Sequence, residues 1–228
     1  MKEQTLQPSE SFLVAALLAI SGGFLDAYTY VCRGGVFANA QTGNLVLLAV
    51  RLSEQRLGEA LRYLAPVAAF SLGVVLAELI RERLPASRWF HWRHLVLALE
   101  MLVLAAAAAL PLGGADQVVN VMVSFVCAMQ VEAFRKVRGQ PFASTMCTGN
   151  LRSGTDLLYR GVRTGDRKLV GKALRYFGVI GCFMAGAALG GVLSAWWGQW
   201  AVLTAVCFQM AAFFLMSRGQ SLIIYENE

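Results

Sequence analysis

Charge is scarce in this sequence of 228 residues. Asp, Glu, Lys and Arg make up 15% of it, against about 25% in a soluble domain. Histidine is scarcer, with only His91 and His94, and two imidazoles without thiol or carboxylate company are thin material for a metal centre. The five cysteines, Cys32, Cys127, Cys147, Cys182 and Cys207, are scattered and form no CxxC pair. That spacing points to neither a disulfide framework nor a zinc site, and leaves them as small packing residues. There is no HExxH, no P-loop and no dinucleotide fingerprint. With no nucleophile-and-base set standing out, an enzyme is not expected, and neither is a cofactor.

What the chain has instead is apolar residues, 57% of the total, collected into long blocks. The hydrocarbon core of a bilayer requires about 20 residues of helix, and six segments approach that length: 11–32, 60–80, 94–112, 117–134, 173–195 and 200–217. The first continues beyond a signal-peptide core and lacks a small-residue cleavage site, so it reads as a span. The net charge of +6 sits in a few loops, where it acts as an orientation signal rather than a nucleic-acid footprint. With six spans, sixteen Lys and Arg fall on the side of both termini and four (Arg33, Arg51, Arg56, Arg62) on the other. Both termini are therefore expected in the cytoplasm. Trp89 and Trp92 would mark the inner interface and Trp196, Trp197 and Trp200 the outer one, because an indole is apolar at one edge and a donor at the other. The basic stretch 160–175 reads as an inner loop facing anionic lipid headgroups.

The chain also repeats itself. Asp26-Ala27 and Thr42-Gly43-Asn44-Leu45 return, at the same mutual spacing, as Glu132-Ala133 and Thr148-Gly149-Asn150-Leu151. Ala60-Leu61-Arg62-Tyr63 returns letter for letter as Ala173-Leu174-Arg175-Tyr176, after a somewhat longer loop. Two copies of three spans each must run in opposite directions through the bilayer, which is the architecture of many secondary transporters. The expected fold is all-α and polytopic, with six transmembrane helices in two inverted repeats, residues 1–112 and 113–228.

Each copy carries a Thr-Gly-Asn (TGN) segment between its first two spans. Segment 36–50 is too apolar for an ordinary loop, and its partner 141–158 is more polar. Both are expected to be broken or re-entrant, with a short helix starting near the TGN; broken backbone at membrane depth survives only in protein or beside water. Free N–H groups at such a helix start can hold an anion or a carbonyl. Thr42, Gly43, Asn44, Thr148, Gly149 and Asn150 are thus candidate substrate ligands, with a simple cap and turn as the plain alternative. Asp26 and Glu132 are intramembrane acids, and such groups need a partner or water. Two acid–Arg pairs, Asp26 with Arg62 and Glu132 with Arg175, could form gates or coupling sites, or could merely fix helix packing. Glu100 has no obvious partner in the second copy, and either carries a proton, snorkels or pairs with Arg93. Glu78 near Arg81 reads as a helix-end pair. Gly186 and Gly190 make a small-xxx-small pattern, favoured as an internal helix contact over a homodimer face.

The run Gly22-Gly23-Phe24-Leu25-Asp26-Ala27, followed by Gly35-Val36-Phe37 and the TGN triplet, resembles the YoaK-like family of bacterial inner-membrane proteins, a domain of unknown function. The likeness covers the length, the six spans and the second TGN. It implies a multi-pass protein of the bacterial inner membrane and supplies no substrate. The second half departs from the first: Glu132 stands for Asp26, and Ala128-Met129 for the paired glycines. The expected function is alternating-access transport of a small polar or anionic solute. A channel of the same architecture, or a membrane scaffold or regulator, is the alternative. The expected partners are the solute or ion, the lipid bilayer and, for the dimer alternative, a second copy.

Overall fold

The computed structural model describes residues 8–84, 91–137, 140–141 and 147–225. These form eight α-helices: α1 (Phe12–Cys32), α2 (Gln41–Ser53), α3 (Leu57–Arg83), α4 (Trp92–Ala108), α5 (Asp116–Ala133), α6 (Cys147–Thr164), α7 (Arg167–Trp197) and α8 (Val202–Tyr225). A two-residue antiparallel pair, β1 (Lys136–Val137) with β2 (Gln140–Pro141), follows α5. Ser11 starts α1 by accepting the Val14 N–H at 3.2 Å, and Gly34 and Gly35, at φ +83° and +77°, turn the chain back after it. A left-handed pair of this kind suits glycine because it has no Cβ to clash.

Among the described residues, three helical stretches are long and apolar enough to cross a membrane: Phe12–Cys32, Leu57–Arg83 and Arg167–Ser217. The last contains α7 and most of α8, joined by a short 3-10 turn. The protein is an all-α, multi-pass membrane protein. Helices also form at the other two expected spans, but α4 has 17 residues and α5 has 18, with Asp116, Gln117, Asn120, Gln130 and Glu132 among them. Leu61, Leu72, Val75, Leu102 and Phe214 remain exposed on the outer helices, as expected where the solvent is lipid.

The basic stretch 160–175 is not a loop. Helix α6 continues to Thr164 and α7 begins at Arg167. Gly165, at φ +69°, makes the turn, and Asp166 caps α7 by accepting the Lys168 N–H at 2.8 Å. Two residues therefore suffice as a connection, and Lys and Arg are good helix formers. Trp89 lies outside the described residues, whereas Trp196, Trp197 and Trp200 are exposed where α7 gives way to α8.

Helices α1 and α5 occupy the centre, and their apolar side chains (Phe24, Leu25, Tyr28, Val119, Val123, Val126) share one core with Leu104 of α4 and Ala205 of α8. The principal packing partners are α1 with α7 and α8, α5 with α3 and α4, α2 with α3, α6 with α7, and α4 with α8. Advancing each helix number by four carries every one of these pairs onto a member of the same set. The tightest crossings use glycine. A methyl at Gly186 of α7 would lie 2.7 Å from the Ile20 carbonyl carbon of α1, and one at Gly190 would lie 2.6 Å from the Phe24 oxygen. Gly73 of α3 meets α5 in the same way, with the Phe125 carbonyl carbon 3.1 Å from where its Cβ would be. Gly73 and Gly186 are separated by the same interval as Ala60 and Ala173. The small-residue pattern of α7 is thus an internal contact, and backbone-to-backbone approach is what requires it.

Candidate functional site

Both TGN segments begin helices, α2 at Gln41 and α6 at Cys147. Thirteen residues give α2 a length of about 20 Å. Its cap residue, Ala40, has no side-chain acceptor to offer the first turn. The acceptor comes from another helix instead. Asp26 of α1 is buried, and its Oδ1 accepts the Asn39 N–H at 2.6 Å, while the N–H groups of Ala38 and Ala40 are directed at the same carboxylate. Negative charge at a helix N-terminus also meets the positive end of the peptide dipoles.

Asn44 holds the other end of this loop. Its Oδ1 accepts the Phe37 N–H at 3.0 Å, and its Nδ2 donates to the Phe37 oxygen at 2.7 Å and to Gln41 Oε1 at 3.0 Å. Asn39 is anchored to α1 by donating through Nδ2 to the Gly22 oxygen at 3.2 Å. Gly43 lies under the Phe37 ring, where a Cβ would stand 3.1 Å from a ring carbon.

A cavity of about 730 Å³ lies between the two TGN helices. Gln41 and Thr42 of α2 line it together with Cys147, Thr148 and Gly149 of α6, and Asp26 and Asn39 form its polar floor. Aromatic walls come from Tyr30, Phe37, Phe70 and Phe183, with the Tyr30 and Phe37 rings stacked at 4.9 Å. The offset that relates the two TGN triplets carries Gln41 and Thr42 onto Cys147 and Thr148. The offset that relates Ala60 to Ala173 carries Phe70 onto Phe183. Among the described residues the wall carries no Lys, Arg or His. This volume falls in the range of about 300–1,000 Å³ usual for small-molecule sites, as does the mix of apolar wall and few polar groups.

The sequence-derived candidates separate into groups. Asp26, Thr42, Thr148 and Gly149 reach the cavity. Asn44 and Asn150 are buried off its wall, and Asn44 spends its amide on the loop. Asp26 is not paired with Arg62, because the Asn39 loop has taken the carboxylate. Arg62 lines a separate cavity of about 270 Å³ with Arg33, Asp116 and Asn120. Glu132 is paired with Arg135, one helical turn away, at 2.9 Å, and not with Arg175. Arg135 also reaches Glu78 at 3.3 Å, and Glu78 pairs with Arg81. The supposed helix-end pair therefore belongs to a four-charge cluster.

Arg33 was not visible as special in the sequence, where it reads as an outer-loop charge. It is fully buried. Its guanidinium donates to Tyr28 Oη at 2.9 Å, Pro111 O at 2.8 Å, Leu110 O at 2.9 Å and Asp116 Oδ1 at 3.1 Å. It thereby satisfies carbonyls at the end of α4 and ties them to the start of α5. The aromatic walls were also missed, although the offset between Ala60 and Ala173 would have paired Phe70 with Phe183.

A family model described as Protein of unknown function (DUF1275) matches residues 14–215. The chain belongs to this family. It is similar to the UPF0700 transmembrane protein YoaK of Bacillus subtilis (strain 168), at 28% identity over 141 residues, which cover 60% of the chain and 63% of that relative. The alignment thus spans less than two thirds of the relative's length. No solved structure matches. Within this family of bacterial membrane proteins, the cavity described above brings Thr42 of one TGN motif and Thr148 and Gly149 of the other to Asp26.

Proposed function

We propose that the protein is a secondary transporter, carrying a small solute across the bacterial inner membrane by alternating access between two inverted halves. The halves are residues 1–112 and 113–228. Each contributes three spans and one re-entrant TGN helix, and both termini face the cytoplasm. The observation that carries this reading is the shared cavity, walled by Gln41, Thr42 and Phe70 from one half and by Cys147, Thr148 and Phe183 from the other. Binding sites built at a repeat interface from discontinuous helices are the hallmark of inverted-repeat transporters; α2, with 13 residues, is short in this way, whereas α6 runs for 18.

The lining favours a small amphiphilic solute, its polar group near Asp26 and the two threonines and its apolar part against the phenylalanines. An anion would meet helix N-termini here but no cationic side chain among the described residues, so the polar rather than the anionic solute is the better supported. Asp26 controls the site by holding the α2 entrance loop. Glu132, with Arg135, Glu78 and Arg81, forms a charge cluster toward the inner face, and Arg62 lines the separate, smaller cavity toward the outer face.

Cys147 supplies the test. A variant retaining only this cysteine, in oriented membrane vesicles, is treated with a membrane-impermeant maleimide from each side in turn. Labelling from both sides, with each side's rate changed in opposite directions by a solute that binds, is the expected result. Labelling from one side alone would refute alternating access. Solute flux that does not saturate would favour a channel.

A further inference from the structure

Glu100 lies on α4 in the centre of the bundle, 0% exposed, and neither of its carboxyl oxygens has a hydrogen-bond donor among the described residues. Gln209 of α8, equally buried, is within hydrogen-bonding reach of it. The Gln209 Nε2 donates to Ser21 Oγ at 3.2 Å, which leaves Gln209 Oε1 as another buried acceptor without a donor. The two Glu100 oxygens and Gln209 Oε1 are thus buried acceptors that no donor among the described residues satisfies. A carboxylic acid has one O–H to give, whereas a carboxylate has none.

An N–H from the Gln209 amide would offer the carboxylate a single donor and leave its charge without a cation. The titratable groups around Glu100 make that worse. Cys127 of α5 lies within electrostatic range of both Glu100 and Asp26 of α1. Both can only add negative charge. A buried ion is tolerated when it is paired with an opposite charge, and here none is at hand.

We propose that Glu100 is a proton-binding site, and that its proton exchanges with water in the TGN cavity. The Glu100 O–H donates to Gln209 Oε1 when the site is filled. On release the O–H bond breaks, the electron pair stays on the carboxylate, and the proton leaves to cavity water as hydronium; the reverse step refills the site. Cys127 and Asn39 provide the intervening polar groups, since the thiol lies within electrostatic range of Glu100 and in hydrogen-bonding reach of the Asn39 side chain, and Asn39 lines the cavity with an Oδ1 unpartnered among the described residues. A proton site this close to the solute cavity makes the proton the coupling ion. That role rests on the transport reading above, whereas the proton site itself does not.

Infrared spectroscopy of the protein in lipid nanodiscs tests the site. The wild type is expected to show a carboxylic-acid C=O band at neutral pH that is missing from Glu100→Gln. The band should move to higher frequency in Gln209→Leu, which removes its acceptor, and to lower frequency within minutes of transfer into D2O. Identical spectra for wild type and Glu100→Gln would overturn the proposal, as would a band that ignores D2O, because the proton would then be absent or sealed in. Should Glu100→Gln fail to fold, Gln209→Leu decides alone: a band that does not move refutes the contact. For coupling, the ratio of inner to outer Cys147 labelling is followed against pH. It should change in the wild type and stay flat in Glu100→Gln. An equal pH response in both would sink the coupling role and leave transport standing. One-sided labelling in both would sink transport and coupling together, without touching the infrared result.

Discussion

Replacing Gly186 by alanine should separate two helices that the fold requires in contact. The added methyl carbon would lie 2.7 Å from the Ile20 carbonyl carbon and 2.8 Å from its Cα, where ordinary contact begins at 3.4 Å. Clearing the carbonyl carbon alone needs about 0.7 Å, from 3.4 minus 2.7, and the Ile20 carbonyl oxygen is nearer still; all the opposing atoms are backbone, so no rotamer change can supply the relief. Overpacking of this kind costs typically about 1–3 kcal/mol, and a rigid neighbour puts Gly186→Ala at about 3 kcal/mol. Gly73→Ala should behave alike at the α3–α5 crossing, where the Ala128 methyl would be 2.9 Å away. Gly181→Ala is the control, because it lies in the same helix as Gly186 with nothing within 4 Å of its added carbon. There the exchange should be neutral or stabilising by up to about 1 kcal/mol, the difference in helix propensity. Reversible unfolding in mixed micelles measures all three. Equal effects at Gly186 and Gly181 would refute the argument that backbone contact sets the crossing.

Arg33→Ala should cost about 3 kcal/mol, since it strips a buried cation from four acceptors, and Arg33→Lys should recover little, because an ammonium cannot reproduce the planar fork; chemical unfolding of both variants checks this. Asn44→Ala should cost about 2 kcal/mol by leaving the Phe37 N–H without its acceptor. Asn44→Asp should not rescue it, having no donor for the Phe37 oxygen, as thermal unfolding in detergent would reveal. His91, at the cap of α4, accepts the Arg93 N–H at 3.3 Å through Nδ1. Burial, then the nearby charges of Arg93 and His94, push its pKa down to about 4. The unfolded chain therefore takes up a proton near pH ~6.5 that the native site refuses until near 4. Stability should fall as pH drops through that window and be unaffected by this group above it. His91→Asn keeps an acceptor and cannot titrate, so its melting temperature should lose part of the wild-type pH slope; an unchanged slope would refute the assignment.

Much of the fold was legible because the bilayer simplifies the code. Long apolar blocks became helices wherever they occurred, and the spacing of Gly186 and Gly190 correctly indicated an internal contact, since only close backbone approach rewards small residues at that interval. The TGN triplets marked helix starts because small polar residues suit first turns. The partners of the charges were not legible. Asp26 was expected to seek Arg62, yet the N–H groups at the entrance of α2 reached it first, and backbone donors leave no trace in a sequence. Arg33 stands beside two glycines after a span and looks like any topogenic charge. Its burial depends on the ends of α4 and α5 meeting far along the chain, at Leu110, Pro111 and Asp116. The segment 160–175 misled because charge was equated with loop, whereas Gly165 and Asp166 alone make the connection.

The positions that agree between the two halves and those that differ separate by physical role. Gly73 and Gly186 agree because each meets a carbonyl of the helix it crosses, and any side chain there would force the helices apart. Phe70 and Phe183 agree, as do Thr42 and Thr148, because each pair faces the same cavity from opposite sides. The acids do not agree in what they hold. Asp26 is short enough to remain beside α1 and accept the N–H groups of the loop before α2. Glu132 is one methylene longer, and it is drawn instead into a cluster with Arg135, Glu78 and Arg81, which together provide the charge compensation that backbone donors give Asp26. Steric demands are therefore met identically in both halves, while electrostatic demands are met by different means. On the transport proposed above, this division is expected, because the two halves would form the same framework but open to different compartments, one side holding its entrance with backbone hydrogen bonds and the other with ion pairs that respond to salt and pH.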